Sequence, residues 1–453
     1  MSRINVNFKN IQGKIKPMHA TNNGPSVQLK DIENGTLHPF NNNLNEFKNA
    51  GIPYARTHDS SFYHRYGQEH TVDVYYIFPN FDADPYDPEN YDFDCTDQYL
   101  LGCEVAGTEV FYRLGHRIEH EVKKYGIHPP KDYHKWAVIC EHIIRHYTEG
   151  WADGFNMKME YWEIWNEPDL HWNDGRTSPT WSGTKEQFFE FYHIAATHLK
   201  TCFPHLKIGG PAIAGDLLWA EYFLAQLKAP LDFFSWHCYS HTVKKIIDRS
   251  EQVRALLDKY GFDKAESILN EWNYVLEWAG DGIVYSHEQR RKIKGASFSV
   301  AAMCGCQNSS VDMLMYYDAR PNEFWNGMFD DMVIGRVLKG YYPFPMFNEL
   351  YKLGTYVECT SNDSDAFVCA AKNENEAAVI MTYFNDDDKA DPKFVKLDLS
   401  GLESENGVEA EIYLLDADND LELVQKATIY GDRFVWEPNV PNFTCYLVKL
   451  KKI

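Results

Sequence analysis

Two glutamates stand where carboxyl chemistry could be done. Glu167 closes the run Tyr161-Trp162-Glu163-Ile164-Trp165-Asn166 and is followed by Pro168; Glu271 closes Ser267-Ile268-Leu269-Asn270 and is followed by Trp272 and Asn273. Each ends a β-type run and each follows an asparagine. Hydrolysis of a glycosidic bond needs such a pair, one carboxyl to protonate the departing oxygen and one to attack the anomeric carbon or activate water. Each glutamate also has a purely structural reading. Pro168 removes a ladder donor and biases its predecessor to extended geometry, so Glu167 could simply open a turn, and Glu271 could be a capping carboxylate. Taken together, in a chain that alternates strand-like and helical runs, they point to a site at the ends of barrel strands, where that scaffold presents its chemistry.

The elements that must position them can be read as eight strands: Lys14 to His19, Tyr54 to His58, Thr108 to Leu114, Tyr161 to Asn166, Lys207 to Pro211, Asp232 to His237, Ser267 to Asn270 and Met313 to Tyr317. Stretches between them, such as Lys185 to Thr201 and His287 to Gln307, carry apolar residues at helical spacing and suit an outer ring. The spacing predicts an α/β chain, a (β/α)8 TIM barrel over residues 11–340, with Glu167 after the fourth strand and Glu271 after the seventh. Beyond Tyr341 short alternating strands with Asp, Asn and Gly turns predict an accessory β-sandwich over residues 341–453. The longest interruption, Phe78 to Asp97, is rich in Asp, Pro and Tyr; its part from Asp82 to Tyr91 is expected at the barrel mouth, narrowing the groove toward a terminal sugar.

Composition excludes some partners. A chain of 453 residues exceeds one small core and fits a barrel plus a second domain. With 44 basic and 66 acidic residues it carries a formal charge of −22, which repels phosphate backbones and anionic lipid, so neither nucleic acid nor membrane is an expected partner. A neutral carbohydrate suits that field. No run of about 18 apolar residues occurs, and the N-terminus lacks the apolar core of a secretory signal. The chain as given reads as cytoplasmic, although a periplasmic or secreted protein already relieved of its signal would look the same. The ten cysteines show no metal-ligand spacing, and Cys140, Cys238, Cys304, Cys369 and Cys445 sit in apolar runs. Neither metal nor cofactor is expected.

The Asn166-Glu167-Pro168 motif, His237-Cys238-Tyr239, Asn270-Glu271-Trp272-Asn273 and the Arg56-Thr57-His58-Asp59 stretch together resemble glycoside hydrolase family 39, a retaining branch of the large clan A of barrel glycosidases. The resemblance implies that Glu167 is the general acid/base, Glu271 the nucleophile, and Asn166 the partner of the sugar 2-hydroxyl. It also implies that the N-terminal strand, residues 1–10, joins the β-sandwich. Arg56 and Tyr239, at the mouth by the strand reading, would favour the ionised form of Glu271. His237 and Tyr239 share an orientation by the two-residue period of strands, while His58, Asp59 and Asp318 end strands and could read hydroxyls. Trp165 and Trp272 read as structural. The family includes β-xylosidases and α-L-iduronidases; a mostly acidic and aromatic rim favours a neutral sugar such as xylose, cleaved from a chain end, while Arg320, just beyond the eighth strand, is a cation that a uronate could use. The alternatives are another specificity within the family, a uronide included, or a catalytically silent carbohydrate-binding protein on the same fold.

Overall fold

The structure is a computed structural model that describes residues 1–27, 42–60, 71–321, 323–402 and 406–453. Its first strand, β1 (Ser2–Lys14), lies outside the barrel. Eight parallel strands then close on themselves: β2 (Ala20–Asn22), β3 (Tyr54–Arg56), β4 (Glu109–Leu114), β5 (Tyr161–Ile164), β6 (Lys207–Ile213), β7 (Phe233–His237), β8 (Glu266–Trp272) and β9 (Met313–Tyr316). β2 pairs with both β3 and β9, which seals the ring.

Strand periodicity builds the interior in layers. Ala20, Phe111, Tyr161, Phe233, Ile268, Met313 and Met315 form an apolar plug, with Tyr54 packed against it. Two residues further along the same strands stand Asn22, Arg56, Glu163, Ser235 and Asn270, all buried. Because side chains alternate with a period of two, one sequence rule puts a polar layer directly above an apolar one. The intervening residues, such as Trp162, Ile164, Phe234, Trp236, Leu269 and Leu314, face the helices and join the larger core. Those helices start on side-chain caps: Asp132 accepts from the Lys135 N–H ahead of Tyr133–Glu149, and Thr184 forms a reciprocal capping box with Gln187 ahead of Lys185–Cys202.

The first barrel strand differs from the sequence expectation. Lys14 ends β1, and the strand that enters the barrel is Ala20–Asn22 rather than Lys14 to His19. Pro17 has no N–H to give a closed ladder, and the stretch around it instead crosses beneath the barrel, where Lys16 Nζ donates to the carbonyls of Ser309 and Val311. The helical stretch expected from His287 is two helices, Gly280–Arg290 and Ile293–Gln307.

The long segment after β3 also departs from expectation. Asp82 meets Lys131, Lys135 donates to the Ala83 carbonyl at 2.6 Å, Tyr86 packs on His142 and Tyr91 on Trp151. These partners lie on and beside the helix Tyr133–Glu149, so residues 82–91 lie along the flank of the barrel and do not narrow its mouth. Tyr91 packs against Phe78, Phe93 and Trp151, which ties the segment to that flank, while Tyr86 stays largely exposed.

The remaining strands form a ten-stranded, sandwich-like sheet around a second core that includes Ile4, Val6, Val379, Leu397, Ile412 and Val448. β1 lies within this sheet, antiparallel to Thr355–Ser361 and parallel to Lys393–Ser400. Lys294 and Ser297, on a barrel helix, tie the two parts together through Asp386, Asp388 and Thr382. Among the described residues no helix is long and apolar enough to cross a membrane. Since Val6 is fully buried between two strands, Val6→Asp should place an unpaired carboxylate in this core and lower stability by about 3 kcal/mol or more. An unchanged midpoint in urea denaturation would show that β1 is dispensable.

Candidate active site

The polar layer is organised by one guanidinium. Arg56, at the end of β3, is fully buried. Its Nε donates to Glu163 Oε2 at 2.6 Å, one Nη to both Asn22 Oδ1 at 3.0 Å and Glu271 Oε1 at 2.8 Å, and the other to Asn166 Oδ1 at 2.7 Å. Burial works against its charge, but Glu163 and Glu271 outweigh burial and hold its pKa above the ordinary value. Glu163 is satisfied further by Ser235 Oγ and Asn270 Nδ2, each at 2.5 Å. The planar fork therefore joins β2, β5 and β8 at fixed angles, as a lysine could not.

Glu167 and Glu271 face each other above this layer. Carboxylate oxygens of the two, with a ring nitrogen of His237, lie within 4.8 Å of one another. Their surroundings differ. Glu271 accepts from Arg56 and, through Oε2, from the Tyr239 hydroxyl at 2.8 Å, and His58 Nε2 stands 3.5 Å from its other oxygen. Glu167 has His237 Nδ1 at 2.7 Å as its carboxyl's bonded partner. Burial pushes the Glu167 carboxyl up to about 7, against the pull of His58 and Arg56. Burial also pushes His237 down to about 4 in spite of the nearby Glu271, so at neutral pH the ring is uncharged. One carboxyl is thus bound to a cation and a phenol, and the other to a neutral ring.

The backbone that delivers Glu167 is strained. Trp165 and Glu167 both have positive φ, +75° and +47°, a conformation that costs a side-chain-bearing residue about 1–3 kcal/mol. The Glu167 N–H is held by the Ala212 carbonyl at 2.8 Å and its own carbonyl by Thr180 Oγ1 at 2.7 Å. Asn166, with Oδ1 committed to Arg56, has an Nδ2 with no protein partner, which leaves that donor for a ligand hydroxyl.

Of the residues expected at the site, the structure gathers Arg56, His58, Asn166, Glu167, His237, Tyr239 and Glu271. Asp318 stands apart from the facing carboxyls. It is fully buried, accepts from the Arg320 backbone at 2.6 Å and pairs with its guanidinium at 3.1 Å. Arg320 also meets Asp59 at 3.1 Å, and Asp59 holds His58 Nδ1 at 2.9 Å. This chain of charges supports His58 from behind, and both Asp318 and Arg320 are committed within it. Trp278 and Trp325 pack against Tyr239 at ring distances of 5.2 and 5.1 Å and continue the site outward as an aromatic wall. Sequence reasoning missed Asn22, Glu163, Ser235 and Asn270. For Glu163 and Ser235 the signal existed, since each lies an even number of residues from another inward-facing position; Asn22 was hidden by the misplaced first strand.

Glu167, His237 and Glu271 offer three ligand atoms close enough for a cation. The Arg56 guanidinium, 2.8 Å from Glu271, already supplies positive charge there and repels a second.

The model of glycosyl hydrolases family 39 matches residues 3–274, more than half of the chain and both glutamates. A β-xylosidase of Geobacillus stearothermophilus is 33% identical over 126 residues, and one of Caldicellulosiruptor saccharolyticus is 34% identical over 118; each alignment covers 26% of this chain. The matched part spans 23% of the length of either relative. Among solved structures, a glucosidase from Croceicoccus marinus superposes with a TM-score of 0.79 at 22% identity, covering 100% of this chain and 99% of that one, so the likeness is one of fold. A barrel closed by eight parallel strands, two facing glutamates at the ends of β5 and β8, and the family match through both place the chain: it belongs to glycosyl hydrolases family 39.

Proposed function

We propose that the protein is a retaining glycoside hydrolase that cleaves a β-linked neutral sugar, xylose or a close relative, by double displacement. One observation carries the reading: two buried carboxyls within 4.8 Å, one held by a guanidinium and the other kept protonated by burial. Retaining enzymes place their carboxyls about 5–5.5 Å apart, whereas inverting ones need room for a water and stand about 6.5–9.5 Å apart. β-Xylosidases among the relatives support the sugar class. So does the fate of the cations: Arg56 is committed to Glu163 and Glu271, Arg320 to Asp59 and Asp318, and Arg290 lies under the Trp325 ring, its guanidinium 4.4 Å from the ring centre. Among the described residues, none of these three is placed to read a uronate carboxylate. Action at a chain end is the mode in keeping with a xylosidase, although the long segment after β3 does not supply the enclosure.

In the first step Glu271 attacks the anomeric carbon. The two bonds donated by Arg56 and Tyr239 aim its carboxylate. Glu167 gives its proton to the leaving oxygen. With His237 neutral and its Nδ1–H donated to Glu167 Oε1, the acidic proton of Glu167 sits on Oε2, the oxygen left for substrate. In the second step the same carboxylate takes a proton from water, which attacks the glycosyl-enzyme and restores the original configuration. Asn166 Nδ2 donates to the sugar 2-hydroxyl, a contact that strengthens as the transition state develops.

Product from an aryl β-xyloside, followed by NMR, should first appear as the β-anomer; an initial α-anomer would overturn the retaining reading. Glu271→Ala should lower turnover by at least about 1000-fold, and azide should restore part of it as the α-glycosyl azide. Glu167→Ala should spare kcat/KM only for substrates with good leaving groups. An exchange of these two behaviours would exchange the two roles.

Glu167 also makes a stability test. In the unfolded chain it loses its proton near 4.5, in the folded protein near 7. Between those values the folded state holds the extra proton, so stability falls as pH rises through the interval, by on the order of 3 kcal/mol in all. Glu167→Gln should therefore raise the melting temperature at pH 8 much more than at pH 5, and the alkaline limb of the wild-type rate profile should have its midpoint near pH 7. A gain in melting temperature that does not grow with pH would mean that Glu167 is not held protonated.

A further inference from the structure

The mechanism above leaves one buried carboxylate near the site unused. Asp169 lies two residues after Glu167 and is 3% exposed. Its Oδ1 accepts the Ala214 N–H at 2.7 Å and its Oδ2 the Asp216 N–H at 3.0 Å, so both oxygens are spent on the segment that follows β6. That segment is continuous with the end of β6, where the Ala212 carbonyl receives the Glu167 N–H. Ala212 is itself left-handed, with φ +55°. Its other end is anchored by Asp216, which caps the helix Leu217–Gln226 through the N–H groups of Leu218 and Trp219 and accepts from Trp172 Nε1 at 2.8 Å. Two left-handed residues, Glu167 just beyond β5 and Ala212 in β6, are thus bonded to each other, and the Asp169 side chain ties the Glu167 segment to residues 214–216 as well.

We infer that Asp169 is the positioning residue for the acid/base: by pinning residues 214–216 it fixes the Ala212 carbonyl, and through it the place of the Glu167 carboxyl against His237 and Glu271. The inference rests on the assignment of Glu167 as acid/base. Its signature follows from that role. A displaced acid slows only those substrates whose leaving group needs a proton, whereas a general loss of structure slows all of them.

Asp169→Asn keeps one acceptor oxygen and turns an amide N–H₂ toward the second backbone donor, so one of the two bonds is lost to donor facing donor. With 2,4-dinitrophenyl β-xyloside, kcat/KM should stay within about threefold of wild type; with methyl β-xyloside it should fall roughly 100-fold, the size of a misplaced general acid. Asp169→Ala, which removes both acceptors and adds no bulk, should show the same split and serves if the asparagine variant does not fold. Equal losses on both substrates, or none in a folded variant, would overturn the inference. If the wild-type protein turns over no glycoside, the glycosidase reading fails by itself. A crystal structure of Asp169→Asn then decides the positioning role: Glu167 moved away from His237 Nδ1 supports it, and Glu167 unmoved rejects it.

Discussion

A single buried guanidinium is the constraint to which the rest of the barrel end answers. Arg56 has no route to solvent, and a charge in that position is tolerated only when it is paired and fully hydrogen-bonded. Its partners come from three other strands: Asn22 from β2, Glu163 and Asn166 from in and just beyond β5, and Glu271 from β8. The dependence runs both ways. Without Arg56, Glu163 and Glu271 would be two carboxylates facing each other over an apolar plug. With it, they are held at angles set by the planar fork, and the orientation of Glu271 is decided from beneath before any ligand arrives.

The difference between the two glutamates follows from how these partners are shared out. Arg56 and Tyr239 both serve Glu271, and little is left for Glu167 except an imidazole that burial has discharged. A carboxyl buried beside a neutral ring holds its proton to higher pH, as Glu167 does. The same side chain is thus given two environments by the unequal sharing of one positive charge. The strained backbone at Trp165 and Glu167 belongs to the same arrangement, since it turns the chain end of β5 so that Glu167 faces across the barrel while Asn166 points down to Arg56.

Much of this arrangement was legible in the chain because strands obey a short rule. The two-residue period ties Tyr54 to Arg56 and His237 to Tyr239, and strand ends mark one face of a barrel, so Arg56, Tyr239 and Glu271 could be placed together from sequence. The same rule failed where the strand itself was misjudged. Lys14 to His19 alternates well enough for a barrel strand, but β1 uses Lys14 in the other sheet and Pro17 interrupts the ladder, so Asn22 escaped notice. The residues from Asp82 to Tyr91 show a second limit: following a strand tells where a segment begins, not where a ring such as that of Tyr91 finds cover. Asp318 shows a third, since Arg320, two residues on, claims a carboxylate that a strand-end position marked as a hydroxyl reader.

By itself the sequence determined the alternation of elements, the pair of Asn-Glu motifs and the family they belong to, because these depend on local spacing and on residue types that only certain chemistry requires. Tertiary structure alone decided which glutamate is kept protonated, which cations are spent inside the protein, and which asparagine donor remains for a ligand. Those outcomes rest on groups far apart in the chain, Arg56 and Glu271 above all, 215 residues from each other. Charge state is set by burial and by the nearest partner, and neither is a property of a residue's neighbours in sequence.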